Sequence, residues 1–222
     1  SNRREISDLM FSYGLQYIQP INENWRAVLG VTYRNAAELS ATEQMISTQV
    51  LRTGTGIESV SDTIVNNPDK KGQITLPTSF GTGITLQKNN NLKFGIDYRW
   101  DQWHEFKAFG VSDSLQNSNY LAVGAEILPN HNVLSSYFKK IKYRFGFHYA
   151  NTNLQINNTQ LSEIGIAFGL GMPIKSSGSS INIGAEIGRR GTTDNSLIKE
   201  NYVKFTLGIS IFERWFIKRK YQ

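Results

Sequence analysis

Along most of this chain apolar and polar residues alternate one for one, the period of a β-strand with two unlike faces. The segment nearest the C-terminus is the clearest: Val203, Phe205, Leu207, Ile209 and Ile211 share one face, and Lys204, Thr206, Gly208 and Ser210 the other. Upstream, Ile181, Ile183, Ala185 and Ile187 oppose Asn182, Gly184, Glu186 and Gly188, while Ile164, Ile166, Phe168, Leu170 and Met172 oppose Gly165, Ala167, Gly169 and Gly171. Ile141, Tyr143, Phe145, Phe147 and Tyr149 oppose Lys142, Arg144, Gly146 and His148. Leu121, Val123, Ala125 and Ile127 oppose Ala122, Gly124 and Glu126. Leu92, Phe94, Ile96, Tyr98 and Trp100 oppose Lys93, Gly95, Asp97, Arg99 and Asp101. Residues 9–17, 25–33 and 76–86 read as further strands, giving about nine in all. Residues 35–51 fit neither the strand nor the helix period, and no long helix is predicted.

A soluble sandwich alternates too, so other features must place the sheet. Several predicted strands reach about 9–11 residues, enough to cross a bilayer and longer than the usual ~5–6. Their polar faces carry glycines and charges, as strands lining a polar interior do. Aromatics gather near strand ends, at Tyr17, Trp25, Tyr33, Trp100, Tyr149 and Tyr202, in the manner of interfacial girdles. Connections 20–24 and 89–91 are short while 35–73 and 102–119 are long; the pattern relaxes over 129–140, 151–160, 175–180 and 191–199. Bacterial barrels have short periplasmic turns and longer extracellular loops, so 35–73 and 102–119 are expected outside the cell. An odd strand count with the first strand starting outside predicts further strands upstream, because single-chain bacterial barrels have even numbers.

Composition narrows this further. The 222 residues are 39% hydrophobic with a mean hydropathy of −0.37, and the longest apolar stretch, 164–174, is broken by Gly165, Gly169 and Gly171. A spanning helix needs ~20 mostly apolar residues, which a barrel strand does not. With no cysteine, disulfide frameworks and thiolate chemistry are excluded. The net charge is +6, part of it at Arg214, Lys218, Arg219 and Lys220. These follow directly on an apolar strand, so a charged collar beside a membrane is expected and no nucleic-acid partner. The chain opens Ser-Asn-Arg-Arg, with neither an initiator Met nor a signal peptide, and reads as processed or truncated.

Several stretches carry a family resemblance: Leu76-Pro77-Thr78-Ser79-Phe80-Gly81-Thr82-Gly83, then Gly95-Ile96-Asp97-Tyr98-Arg99-Trp100-Asp101-Gln102-Trp103, Val123-Gly124-Ala125-Glu126, Tyr143-Arg144-Phe145-Gly146-Phe147 and Gly169-Leu170-Gly171-Met172-Pro173. With the tail 213–221, this ordered set resembles the FadL-like family of outer-membrane transport proteins in its Bacteroidota form, over most of residues 74–222. The resemblance implies an antiparallel transmembrane β-barrel of about 14 strands. Residues 1–222 would be the C-terminal part of that single domain, its N-terminal plug and early strands lying upstream. It implies a bacterial outer-membrane channel for uptake of hydrophobic compounds such as long-chain fatty acids. The alternative it carries is a scaffold or partner subunit of an outer-membrane surface or secretion complex. Implied partners are outer-membrane lipid and lipopolysaccharide, hydrophobic small molecules and other outer-membrane proteins. The sequence departs from the family over 35–73, which is rich in Ser, Thr, Asn and Asp with scattered apolar residues, and this weakens a loop-borne ligand groove.

No phosphate-binding loop, His-Glu-x-x-His, cysteine metal spacing or Gly-x-Ser-x-Gly elbow is present. No catalytic residue, cofactor or metal site is predicted, and the chain is not expected to be an enzyme. Gly54-Thr55-Gly56 reads as a loop and Gly81-Thr82-Gly83 as a packed strand. His104, His131 and His148 are scattered, with His148 on the polar side near Lys142 and Arg144. The inward charges Asp97, Arg99, Asp101, Glu126, Lys142, Arg144, Glu163, Glu186 and Arg190 alternate in sign between neighbouring strands and are expected to pair across the lumen wall. Arg99, Arg144 and His148 are the ligand-binding candidates, the arginines for a carboxylate. Trp100, Trp103 and Phe106 read as interfacial.

Overall fold

The structure, a computed structural model, describes residues 2–52, 58–130, 136–174 and 178–212. Its strands are β1 (Asn2–Ile6), β2 (Ser12–Pro20), β3 (Trp25–Arg34), β4 (Ala37–Arg52), β5 (Glu58–Leu76), β6 (Ser79–Lys88), β7 (Leu92–Asp101), β8 (Lys107–Ala108), β9 (Ser118–Ile127), β10 (Lys142–Ile156), β11 (Thr159–Pro173), β12 (Ser180–Arg190) and β13 (Glu200–Ser210). The helical elements among the described residues are short 3₁₀ turns, and none is long and apolar enough to cross a membrane. The fold is all-β: a nine-stranded antiparallel sheet ordered β2-β3-β6-β7-β9-β10-β11-β12-β13, and a four-stranded sheet ordered β1-β4-β5-β8.

Register follows the alternation. Tyr143 faces Leu170, Leu170 faces Ile183 and Ile183 faces Leu207, an apolar row across β10 to β13. One residue along, Glu126, Arg144, Gly169, Gly184 and Thr206 form the matching polar row. A slip of one residue would exchange these faces completely, so the register is strongly specified. The apolar face is left uncovered by the described residues: Phe205 is 78% exposed, Leu207 72% and Ile211 82%. The buried hydrophobic residues are Ala41, Ile74, Leu128 and Ile141, and they lie outside the nine strands. A sandwich would bury one apolar face against a second sheet; this sheet is built the other way out, as a partial β-barrel.

At one end the turns are tight. The Asn22 side chain accepts from the Asn24 and Trp25 amides at 3.0 and 2.9 Å, an Asx turn that reverses the chain into β3. The Asn89 amide donates to the Asn24 carbonyl at 2.7 Å, tying the β6–β7 turn to the β2–β3 turn. The other end carries the second sheet, and here the structure departs from expectation. Residues 35–73 are not an irregular loop: β4 and β5 make a hairpin with strands of 16 and 19 residues. Its register shifts between Glu43 and Met45, between Ser47 and Thr48, and between Gln49 and Val50. Each such irregularity breaks the two-residue period, so the alternation is scrambled in the sequence. Similarly, 151–160 is mostly strand, because Asn157 and Asn158 (φ 48° and 61°) supply the left-handed pair of a two-residue hairpin turn. Residues 102–119 include a 3₁₀ turn at Trp103–Glu105 and the short β8. The strand expected from residue 76 starts at Ser79, after the fully buried Pro77, which has no amide to give to a ladder. Gly54-Thr55-Gly56, His131 and the basic tail 213–221 lie outside the described residues.

Candidate functional site

The polar face of the nine-stranded sheet gathers the ionisable side chains into three groups. In the first, Lys93, Glu126 and Arg144 occupy one row across β7, β9 and β10. The Arg144 Nε donates to Glu126 Oε2 at 2.8 Å, while Lys93 Nζ and Lys142 Nζ lie 3.6 and 3.9 Å from Glu126 Oε1. Arg144 Nη1 also donates to Asn182 Oδ1 at 2.8 Å, carrying the network on to β12. Arg144 reaches that far because Gly169 and Gly171 leave the floor beneath it empty: a Cβ at Gly171 would lie 3.2 Å from Arg144 Nη2.

The second group is a row of four: His148 on β10, Gly165 on β11, Gly188 on β12 and Tyr202 on β13 stand opposite one another in turn. A Cβ at Gly165 would run into the His148 ring and one at Gly188 into the Tyr202 ring, so both rings lie flat across glycine towards the middle. Glu163 and Glu186 enter there from either side of the glycine pair. The Tyr202 hydroxyl is 2.9 Å from Glu163 Oε1 and 2.9 Å from Glu186 Oε1. His148 Nε2 lies 3.6 Å from Glu163 Oε1, and Arg190 Nε donates to Glu163 Oε2 at 2.9 Å.

In the third group, the buried Asp101 accepts from Ser118 Oγ at 3.1 Å and faces Arg99 Nε at 3.4 Å. The Arg99 guanidinium sits 5.7 Å from the centre of the Tyr120 ring, which in turn stacks on His148 at 6.0 Å. Arg99, Tyr120 and His148 thus link the third group to the second. Arg99, Arg144 and His148, the three ligand-binding candidates, fall in different groups. Among the described residues no ion pair reaches Asp97, whose carboxylate instead lies over Gly83. Sequence reasoning missed Tyr202, Tyr120 and Asn182. Tyr202 was readable as a polar-face residue, since it shares the parity of Lys204 and Thr206.

No curated protein matches this chain. Among solved structures it is similar to the CymD monoaromatic hydrocarbon channel, at 17% identity and a TM-score of 0.45 over 81% of this chain. The chain spans about half the length of that channel, 46%. The model of the BamG family matches residues 1–222, the whole of the sequence, and the chain belongs to the BamG family.

Proposed function

We propose that this chain builds the wall of a bacterial outer-membrane β-barrel that takes up hydrophobic compounds, long-chain fatty acids among them. The observation that carries the membrane reading is the inverted sheet: strands of 9–15 residues with the apolar face uncovered and ion pairs gathered on the polar face. In hydrocarbon every backbone polar group must be paired, which only helices and closed barrels achieve, and such barrels present apolar residues outward and polar ones inward. Uptake rests on the resemblance of 76–83, 95–103, 123–126, 143–147 and 169–173 to the FadL-like family. The test is uptake of labelled long-chain fatty acid by cells with and without the gene. Slower uptake without it, restored by complementation, is expected; equal rates in both strains would remove the transport reading.

A second reading, a partner subunit of an outer-membrane complex, is favoured by the four-stranded sheet. It stands at one end of the barrel wall and includes a hairpin far longer than a connection needs. Membership of the BamG family is compatible with it. Mild detergent extraction of the native protein, followed by sizing and mass spectrometry, separates the two readings. Stoichiometric co-purification of other outer-membrane proteins, lost when β4–β5 is trimmed to a tight turn, supports the subunit role.

A further inference from the structure

We propose that His148, Glu163, Glu186 and Tyr202 form a binding site for one divalent transition-metal cation on the polar face of the sheet. Their donor atoms arrive from four consecutive strands, and the imidazole and the two carboxylates bring theirs within 4.8 Å of one another. Ligands of a tetrahedral zinc ion, each about 2.0–2.2 Å from the metal, stand roughly 3.5 Å apart. Side-chain rotations of about an ångström therefore close the set. The floor of the site is Gly165 and Gly188, and any side chain there would expel one of the two rings. The two glycines let both rings lie inwards over the sheet, next to the two carboxylates.

Proton counting points the same way. The Tyr202 hydroxyl carries one proton yet lies 2.9 Å from an oxygen of each glutamate, so with both carboxylates ionised one of these contacts sets two acceptors against each other. An added cation removes that conflict. Arg190 already neutralises Glu163 through Oε2, so Oε1, beside the Tyr202 hydroxyl and His148 Nε2, is the oxygen turned to the metal. Among the described residues no ion pair reaches Glu186, although Lys204 stands opposite it in the register. One imidazole nitrogen with carboxylate oxygens is a donor set for zinc, manganese, nickel or ferrous iron.

The experiment uses the native protein, purified in detergent and stripped with EDTA. It is titrated with Zn²⁺ by calorimetry and with Co²⁺ by visible absorption. One saturable equivalent per chain is expected, with Co²⁺ developing ligand-field bands. His148→Gln and Glu186→Gln are each expected to weaken binding by more than about tenfold. Lys204→Gln, beside the site and outside the donor set, leaves binding intact or tighter. Far-UV circular dichroism checks each variant, and Tyr202→Phe, which keeps the ring and removes the oxygen, stands in for any that misfolds. No saturable binding in the wild-type protein overturns the proposal. So does binding undiminished in both donor variants, which would place the metal elsewhere. Neither result bears on uptake or on partner subunits, which are read separately.

Discussion

At the scale of single residues, Asp8 and Glu126 each gather several partners. Asp8 sits in the connection between β1 and β2, outside the barrel wall. Its carboxylate accepts from the Ser40 amide at 3.0 Å, from the Leu9 amide at 2.8 Å and from the Ser40 hydroxyl at 3.1 Å. The Ser40 amide, then the Leu9 amide and the Ser40 hydroxyl, hold this carboxyl below its ordinary value of 3.8. A depressed pKa in the folded state means that the tether is fully present above 3.8 and is lost as pH falls through the folded value. Carbon-detected NMR titration of Asp8 is expected to give a midpoint below 3.8; a midpoint at or above it would contradict the tether. Glu126 is the sole anion facing Arg144, Lys93 and Lys142 in its group. Glu126→Gln leaves three cations with no counter-charge there, whereas Lys93→Met removes only one of several. Glu126→Gln is therefore expected to destabilise the protein by about 1 kcal/mol or more and Lys93→Met by less, the lysine being solvent-screened. Urea unfolding in detergent measures both.

At the scale of elements, the last strand makes the sharpest prediction, helped by the absence of native cysteine. Cysteines placed at Thr206, Gly208 and Ser210 are expected to react with a water-soluble maleimide in liposomes, and those at Leu207, Ile209 and Ile211 to be protected. The reverse pattern would mean that the apolar face of β13 does not lie against lipid. Ile209→Arg should cost about 2–4 kcal/mol if the position lies near the bilayer midplane. The strands that were legible are those whose period is unbroken: β7 runs Leu92–Asp101 as the alternation from Leu92 to Asp101 implies. β4 and β5 were illegible because their three register shifts scramble the alternation that periodicity reads. The polar-face charges were legible by parity, but their partners were not. Which side chains meet depends on where a glycine lets a long side chain lie down, as Gly165 does for His148 and Gly188 for Tyr202. Tyr202, whose position at a strand end suggested a girdle aromatic, is the clearest case.

At the scale of the whole molecule, the order of strands decides what the sheet needs. The side carrying the β4–β5 hairpin is proposed to face the exterior, and an epitope tag at Ser114, in the connection between β8 and β9, is expected to be reached by antibody on intact cells. The two edges pose a harder problem. β2 and β13 stand at opposite ends of the nine-stranded order, and because every neighbouring pair is antiparallel, the first and ninth strands run in the same direction. Closing the sheet on itself would require a parallel pair, while leaving it open would expose two rows of backbone donors and acceptors to hydrocarbon, at several kcal/mol for each unsatisfied group. We propose that further strands separate β2 from β13 in the membrane. Double-cysteine variants of the native protein test this. Gly14→Cys with Thr32→Cys, and Asn182→Cys with Gly208→Cys, are register neighbours on β2–β3 and β12–β13 and are expected to cross-link on mild oxidation. Gly14→Cys with Gly208→Cys is expected not to, whatever the detergent. An efficient cross-link between these last two would mean that β2 and β13 seal the barrel themselves, and the proposal of intervening strands would fall with the FadL-like reading that suggested it.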